Sequence, residues 1–167
     1  PRDIDELLFV RYKALERGPQ LTLDILSCFA LPARLDIIQA ILPFQPQRTA
    51  TYLSLLETEG LVTSHEDGQR FSMRHARLKS MVYGAIQESR QDTHLFIAST
   101  MEASAGVRTF LDLQELAFQH RQAGKDTASI SWLERAGDEG MRIAAYQRAK
   151  ELYLEAVALA EASNPSA

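Results

Sequence analysis

The residues that most often carry chemistry are few in this sequence and stand far apart. Cys28 is the only cysteine, and it lies beside Phe29 in an apolar stretch without the glycines of a nucleophile elbow. We therefore expect it to be a small buried hydrophobe rather than a nucleophile. The histidines show no spacing that metal ligands use, so the sequence predicts no metal site. They are His65, His75, His94 and His120.

The carboxylates of the second half also lack the pattern of a catalytic centre. They lie on helices rich in opposite charges, and solvated ion pairs between residues three or four positions apart would explain them. The chain has no G-x-x-x-x-G-K-[ST] sequence, and none of its eight glycines lies in a phosphate-binding loop. We therefore expect no catalytic residue and no cofactor in this chain. The carboxylates are Glu115, Glu134, Asp138 and Glu139, with Arg135 and Arg142 nearby.

Composition narrows the class of protein. The 167 residues are 46% hydrophobic and 24% charged, a balance typical of a soluble globular chain that folds without disulfides or metals. The formal charge of −4 argues against a polyanion as the main partner. One cysteine, no apolar run of about 18 residues and no signal pattern predict a cytoplasmic protein without a membrane partner. Because the chain starts at Pro1 and residues 163–167 read as a linker, we expect a piece of a longer protein.

Apolar residues at spacings of three and four predict a mainly helical chain. Asp3 is expected to cap the first helix, and Gly18-Pro19 to end it. Asp67-Gly68 between two short extended runs, 61–65 and 70–74, predicts the chain's one convincing β-hairpin. The predicted helices are 3–16, 20–30, 34–42, 47–59, 75–87, 91–104, 109–123, 126–140 and 142–162.

Alanine content divides the chain in two. Alanine is sparse from Pro1 to His75 and becomes much more frequent from Ala76 onward. Alanine lets helix axes approach closely and has the best helix propensity. The prediction is a winged helix-turn-helix region at 1–88, with its core at 21–88, followed by alanine-rich helical repeats at 89–167 that form a fragment of a tetratricopeptide-like α-solenoid.

A winged helix often binds DNA, and this gives one hypothesis for function: a transcription regulator with a helical dimerisation arm. Helix 47–59 takes the place of a recognition helix and carries candidate DNA contacts at its start, and the hairpin adds one more. Carboxylates at the end of that helix and at the hairpin tip oppose this reading, because they would face phosphates. The candidate contacts are Gln47, Arg48, Thr51 and Arg70; the opposing carboxylates are Glu57, Glu59, Glu66 and Asp67.

Residues 61–83 carry a family resemblance. A glycine-leucine edge, a hairpin and the spacing Phe71, Met73, His75, Leu78 and Tyr83 resemble the winged-helix segment behind the ATPase core of bacterial signal-transducing NTPases (STAND and AAA-type proteins). That group includes large LuxR-type regulators and ATPase-coupled cyclase and kinase regulators.

The segment is also similar to the Met-His-Asp motif of apoptotic and plant-immunity NTPases, whose histidine contacts a bound diphosphate. The resemblance implies that His75, with Arg74 beside it, senses the nucleotide. Arg74 separates Met73 from His75 and Ala76 replaces the aspartate, so the motif is incomplete. The alternative is that His75 is a helix-start residue that packs on Phe71 and Tyr83.

Residues 110–162 show small and large residues at the offsets of tetratricopeptide units, in two registers that overlap across helix 126–140. The stretch resembles the repeats that follow the winged helix in the same regulators. An array of this length should leave apolar positions exposed on its last helix, with Leu152, Val157 or Leu159 as candidates. Candidate partner-surface residues are Trp132, Tyr146 and Tyr153, although Trp132 is better placed for a core.

Together these patterns predict a non-catalytic regulatory module. The resemblance implies an upstream ATPase domain in the same chain, with ATP or ADP and Mg²⁺ bound there. It also implies a protein or small-molecule ligand, or another protomer, on the helical repeats. A hinge is expected near residues 88–108.

Overall fold

The computed structural model describes residues 4–86, 89–105 and 108–163. The expected cap at Asp3, part of the expected hinge and most of the expected linker, at 164–167, lie outside those ranges. The chain divides into two compact units, 1–88 and 89–167. The described part is mainly helical and contains one small antiparallel sheet of three strands.

The first unit contains, in its described part, five helices and the three strands. Its core is formed by fully buried leucines, isoleucines and valines from every one of these helices except α1, together with the hairpin. The elements in chain order are α1 (Ile4–Ala14), α2 (Arg17–Ser27), β1 (Ala33–Arg34), α3 (Leu35–Ile41), α4 (Pro46–Thr58), β2 (Val62–His65), β3 (Arg70–Met73) and α5 (Ala76–Ala85).

The sheet has the strand order β1-β3-β2, and both pairs are antiparallel. Val62 lies opposite Met73 in the hairpin, and Ala33 lies opposite Phe71 on the other edge of β3. The hairpin follows the prediction, but β1 adds a strand that the sequence pattern did not indicate. So short a strand cannot show the period-two alternation by which strands are recognised.

The boundary between α1 and α2 differs from the prediction. Gly18-Pro19 does not end α1; both residues lie in the first turn of α2, which is preceded by Glu16. Proline fits there because the first backbone N–H groups of a helix have no intrahelical acceptor. Gly18 is needed for packing, since a Cβ at this position would lie 2.4 Å from the ring of Tyr52 on α4.

The second unit consists, in its described part, of four helices. The capping box of α7 is complete, since Thr109 accepts from the backbone N–H of Asp112 and the Asp112 carboxylate accepts from that of Thr109. The helices are α6 (Arg90–Ala103), α7 (Phe110–Gln122), α8 (Asp126–Arg142) and α9 (Tyr146–Ser163). None of the helices in the described ranges combines the length and apolar character that a bilayer crossing requires.

Helices α7, α8 and α9 repeat one packing pattern at a constant offset, which we call the repeat shift; it carries position 113 onto position 133. The turn after α7 has Gly124 at φ 69°, and the turn after α8 has Ala144 at φ 62° in the same position. Both turns are Schellman motifs: the N–H of Lys125 bonds to the carbonyl of His120, and that of Ala145 bonds to Gly140. The repeat shift also relates buried positions, namely 113 to 133, 116 to 136, 129 to 149, 132 to 152 and 136 to 156.

The exposure of apolar residues on α9 agrees only in part with the prediction. Leu152 is buried against the preceding helices rather than exposed, because the repeat shift makes it the equivalent of the buried Trp132. Val157 is exposed, as expected, and Leu159 is half-buried. Of the three expected positions, only Val157 is therefore fully exposed.

Candidate functional site

His75 lies where the chain passes from β3 into α5. It is the residue that precedes the first turn of α5, and its side chain makes no capping bond to that helix. Its Nε2 instead lies 3.2 Å from the carbonyl oxygen of Gly60, at the end of α4. Since a carbonyl only accepts, Nε2 carries the proton and donates. The half-buried imidazole therefore joins the end of α4 to the start of α5.

Arg74, the second sensor candidate, is exposed. Its backbone N–H donates to the carbonyl of Leu61 at 2.9 Å, which continues the hairpin pairing by one residue. Its guanidinium lies near Glu57, whose carboxylate accepts bonds from the hydroxyl and the backbone N–H of Ser64. Those bonds from Ser64, and then the charge of Arg74, hold the pKa of Glu57 below its usual value.

The candidate DNA contacts on α4 are exposed but partly occupied. The Nε of Arg48 donates to the hydroxyl of Tyr52 at 2.6 Å, and its guanidinium lies over the Tyr52 ring. The hydroxyl of Thr51 donates to the carbonyl of Gln47 one turn earlier. At the other end of α4, Glu59 forms an ion pair with Arg11 of α1. The hydroxyl of Thr51 and one of the five N–H groups of Arg48 are thus engaged within the helix.

Arg70, the candidate DNA contact on the hairpin, is buried. Its side chain is only 6% exposed, its Nη1 donates to the carbonyl of Pro32 at 3.1 Å, and its Nε lies 3.3 Å from the Glu66 carboxylate. The guanidinium thus joins β3 to the chain entering β1. Sequence reasoning could not find this contact, because Pro32 and Arg70 lie far apart along the chain.

Lys79 on α5 also donates to a distant backbone carbonyl. Its ammonium donates to the carbonyl of Phe29, which lies just after α2. Three basic residues between positions 70 and 79 therefore each bond to a backbone carbonyl distant in the sequence: Arg70 to Pro32, His75 to Gly60, and Lys79 to Phe29. We call these three residues the basic staples. They place cations and an imidazole inside the unit as structural donors.

In the second unit, Trp132 is buried rather than presented to a partner. Its Nε1 donates to a carboxylate oxygen of Glu102 at 3.2 Å, and the same oxygen lies 2.7 Å from Nε2 of His120. The guanidinium of Arg135 lies 4.0 Å from the Trp132 ring centroid, and that of Arg108 lies 5.5 Å from it. This cluster joins α6, α7 and α8, and its members are too widely separated in sequence to give a local signal.

The two tyrosine candidates differ in how far they are exposed to solvent. Tyr146 is exposed at the first turn of α9. Tyr153 lies over Gly137 of α8, and its hydroxyl donates to Asp138 at 2.6 Å. This bond to a carboxylate raises the pKa of Tyr153 above its usual value. Of the three candidates, Tyr146 alone is fully available to a partner.

A buried polar chain, which the sequence did not indicate, crosses from α6 to α7. Nδ1 of His94 lies 2.6 Å from Oε1 of Gln119, and Nε2 of Gln119 donates to Glu115 at 2.7 Å. Because the amide nitrogen is used toward Glu115, Gln119 presents its oxygen to His94, and Nδ1 carries the proton. Burial lowers the pKa of His94, which keeps the imidazole neutral.

Within the described residues, no three histidine, cysteine or acidic side chains come together as a metal site would require. Comparison with known proteins adds no identification: no family model matches the chain, and no curated protein or solved structure matches it either.

Proposed function

We propose that the chain is a non-catalytic regulatory module, in which a winged-helix unit and a tetratricopeptide-like unit bind other protein domains. The element order α2-β1-α3-α4-β2-β3 and the sheet order β1-β3-β2 support the winged-helix assignment. The repetition of α7, α8 and α9 at one constant shift supports the assignment of helical repeats.

The observation that carries the proposal is the set of basic staples. A DNA-binding winged helix needs its cations free for phosphates. Here Arg70, His75 and Lys79 donate to carbonyls inside their own unit, and Arg48 bonds to Tyr52. DNA binding is the second hypothesis for this element order, and this use of the cations counts against it.

The resemblance to signal-transducing NTPases makes the proposal specific. In the described geometry, Nε2–H of His75 bonds to Gly60, so the neutral imidazole has no second N–H to offer a phosphate. Contact with a diphosphate would therefore require His75 to leave Gly60. That change would break the link between α4 and α5, and this gives a physical route from nucleotide state to winged-helix position.

The test is nucleotide retention in a chain that includes the proposed upstream ATPase domain, with Mg²⁺ present. His75→Ala should accelerate the loss of bound ADP, because it removes the group proposed to contact the diphosphate. His65→Ala is the matched control, since His65 lies on β2 and its side chain bonds to Ser72 of the neighbouring strand. Equal ADP release from the wild type and His75→Ala would refute the sensing role.

A further inference from the structure

The described face of α9 that points away from α8 carries a short charged and apolar stripe. Leu154 is 58% exposed and Val157 is 54% exposed. Lys150 and Glu161 are exposed at the two ends of the stripe, and neither has an ion-pair partner among the described residues. The spacings of four, three and four along the sequence place all four side chains on one side of the helix.

Two copies of α9 in antiparallel orientation would present complementary side chains to each other. If two copies of α9 are laid antiparallel about the midpoint between Leu154 and Val157, Leu154 of one copy faces Val157 of the other. The same alignment places Lys150 of each copy opposite Glu161 of the other, at both ends of the contact. A two-fold contact of this kind uses one patch on both copies, as most homodimers do.

The packing inside the unit argues against a further helix stacked in the established way. At the contact between α8 and α9, Gly137 makes room for Tyr153, since a Cβ there would lie 2.6 Å from the ring. By the repeat shift, the equivalent residue is Ala117 on α7 and Val157 on α9. A branched side chain at 157 would obstruct that close approach, whereas a wider, side-by-side helix pair accommodates it.

We propose that α9 is a self-association surface, and that its occupant is α9 of a second copy of this chain in antiparallel orientation. The two Lys150–Glu161 pairs set the orientation, and the Leu154–Val157 contacts supply the apolar burial. The small apolar area implies a weak dimer that forms at high protein concentration. This inference depends on the second unit alone and is independent of the proposed function.

Sedimentation equilibrium of the chain, over roughly 10 µM to 1 mM, provides the test. The wild type should show a monomer–dimer equilibrium. Lys150→Glu and Glu161→Lys should each weaken it about tenfold, because each variant turns two attractive pairs into repulsive ones. The double variant Lys150→Glu/Glu161→Lys should restore the wild-type dissociation constant, since the pairs are then complementary again.

Lys13→Glu is the matched control, because it makes the same charge change at an exposed position on α1, in the other unit. It should leave the dimer unchanged, and circular dichroism should show that every variant keeps its helix content. A monomeric wild type across the whole range would overturn the proposal. So would a dimer that either single reversal leaves intact, or one that the double variant fails to restore.

Discussion

The imidazole of His75 donates to the backbone carbonyl of Gly60 across 3.2 Å, and this bond joins the end of the fourth helix to the start of the fifth. Gly60 adopts φ 72° to close the Schellman turn after α4, in which the N–H of Leu61 bonds to the carbonyl of Leu56. In the structure, the histidine that the sequence suggests as a nucleotide sensor thus acts as a hydrogen-bond donor that joins α4 to α5.

Removing this donor should destabilise the first unit modestly. His75→Ala should lower the free energy of unfolding by about 1 kcal/mol, the typical net contribution of one part-buried hydrogen bond. His75→Gln should lose less, because its side-chain amide can donate to the same carbonyl. Urea unfolding monitored by circular dichroism measures both, and equal losses from the two variants would contradict the role of the bond.

Glycine at position 137 should be required for the packing of α8 on α9. Gly137→Ala should destabilise the second unit by about 1 to 3 kcal/mol, because the added Cβ would meet the ring of Tyr153 at 2.6 Å. Gly84→Ala is the control, since a Cβ there meets nothing within 4 Å. That variant should be neutral or slightly stabilising, as alanine has the better helix propensity. Thermal unfolding of both proteins checks the contrast.

Ala144 should be replaceable by glycine with a gain in stability. It holds φ 62° at the position after the α8 C-cap, where an L-residue is strained and where the equivalent residue after α7 is Gly124. Ala144→Gly should raise the free energy of unfolding by up to about 1 kcal/mol. Ala145→Gly, one residue further on, serves as the comparison and should not stabilise. A loss of stability in Ala144→Gly would contradict the described turn.

The second unit should lose stability in mild acid because of His94. Burial lowers the pKa of its imidazole from 6.5 in the folded state, so the unfolded chain binds a proton more readily than the folded chain. Stability should therefore be full above about pH 6.5 and should fall as pH drops below it, by up to about 1.4 kcal/mol per pH unit from this group. Denaturant titrations from about pH 8 to about pH 5 measure the slope.

His94→Gln should flatten that slope, because glutamine does not titrate and can still donate to Gln119. If the His94→Gln protein keeps the acid-dependent loss of stability, another group is responsible for it.

Local periodicity predicted the positions of most helices well, and it failed where distant residues decide the structure. The predicted helix 109–123 agrees with Phe110–Gln122, because its capping residue and apolar spacing are local features. Gly18-Pro19 was misplaced because the demand for glycine comes from Tyr52, which lies on another helix much further along the chain. Strand Ala33–Arg34 exists only through its pairing with β3.

In the candidate site, too, the sequence indicated local features and did not indicate contacts between distant residues. Sequence reasoning singled out Arg70 and His75, but their acceptors, like that of Lys79, are backbone carbonyls, at Pro32, Gly60 and Phe29. A backbone carbonyl has no sequence signature, so the internal use of these donors could be seen only in three dimensions. The cluster of Glu102, His120 and Trp132 could not be predicted for a different reason: its members are too widely separated in the sequence to give a local signal.

We propose that Arg70, His75 and Lys79 hold the elements of the first unit together and do not bind a nucleic acid. Fluorescence anisotropy of a labelled DNA duplex, titrated with the chain across a salt series, is the test. We expect no measurable binding at physiological salt, and no difference between the wild type and Arg48→Glu. Binding at that salt that weakens steeply as salt is added and is lost in Arg48→Glu would contradict it.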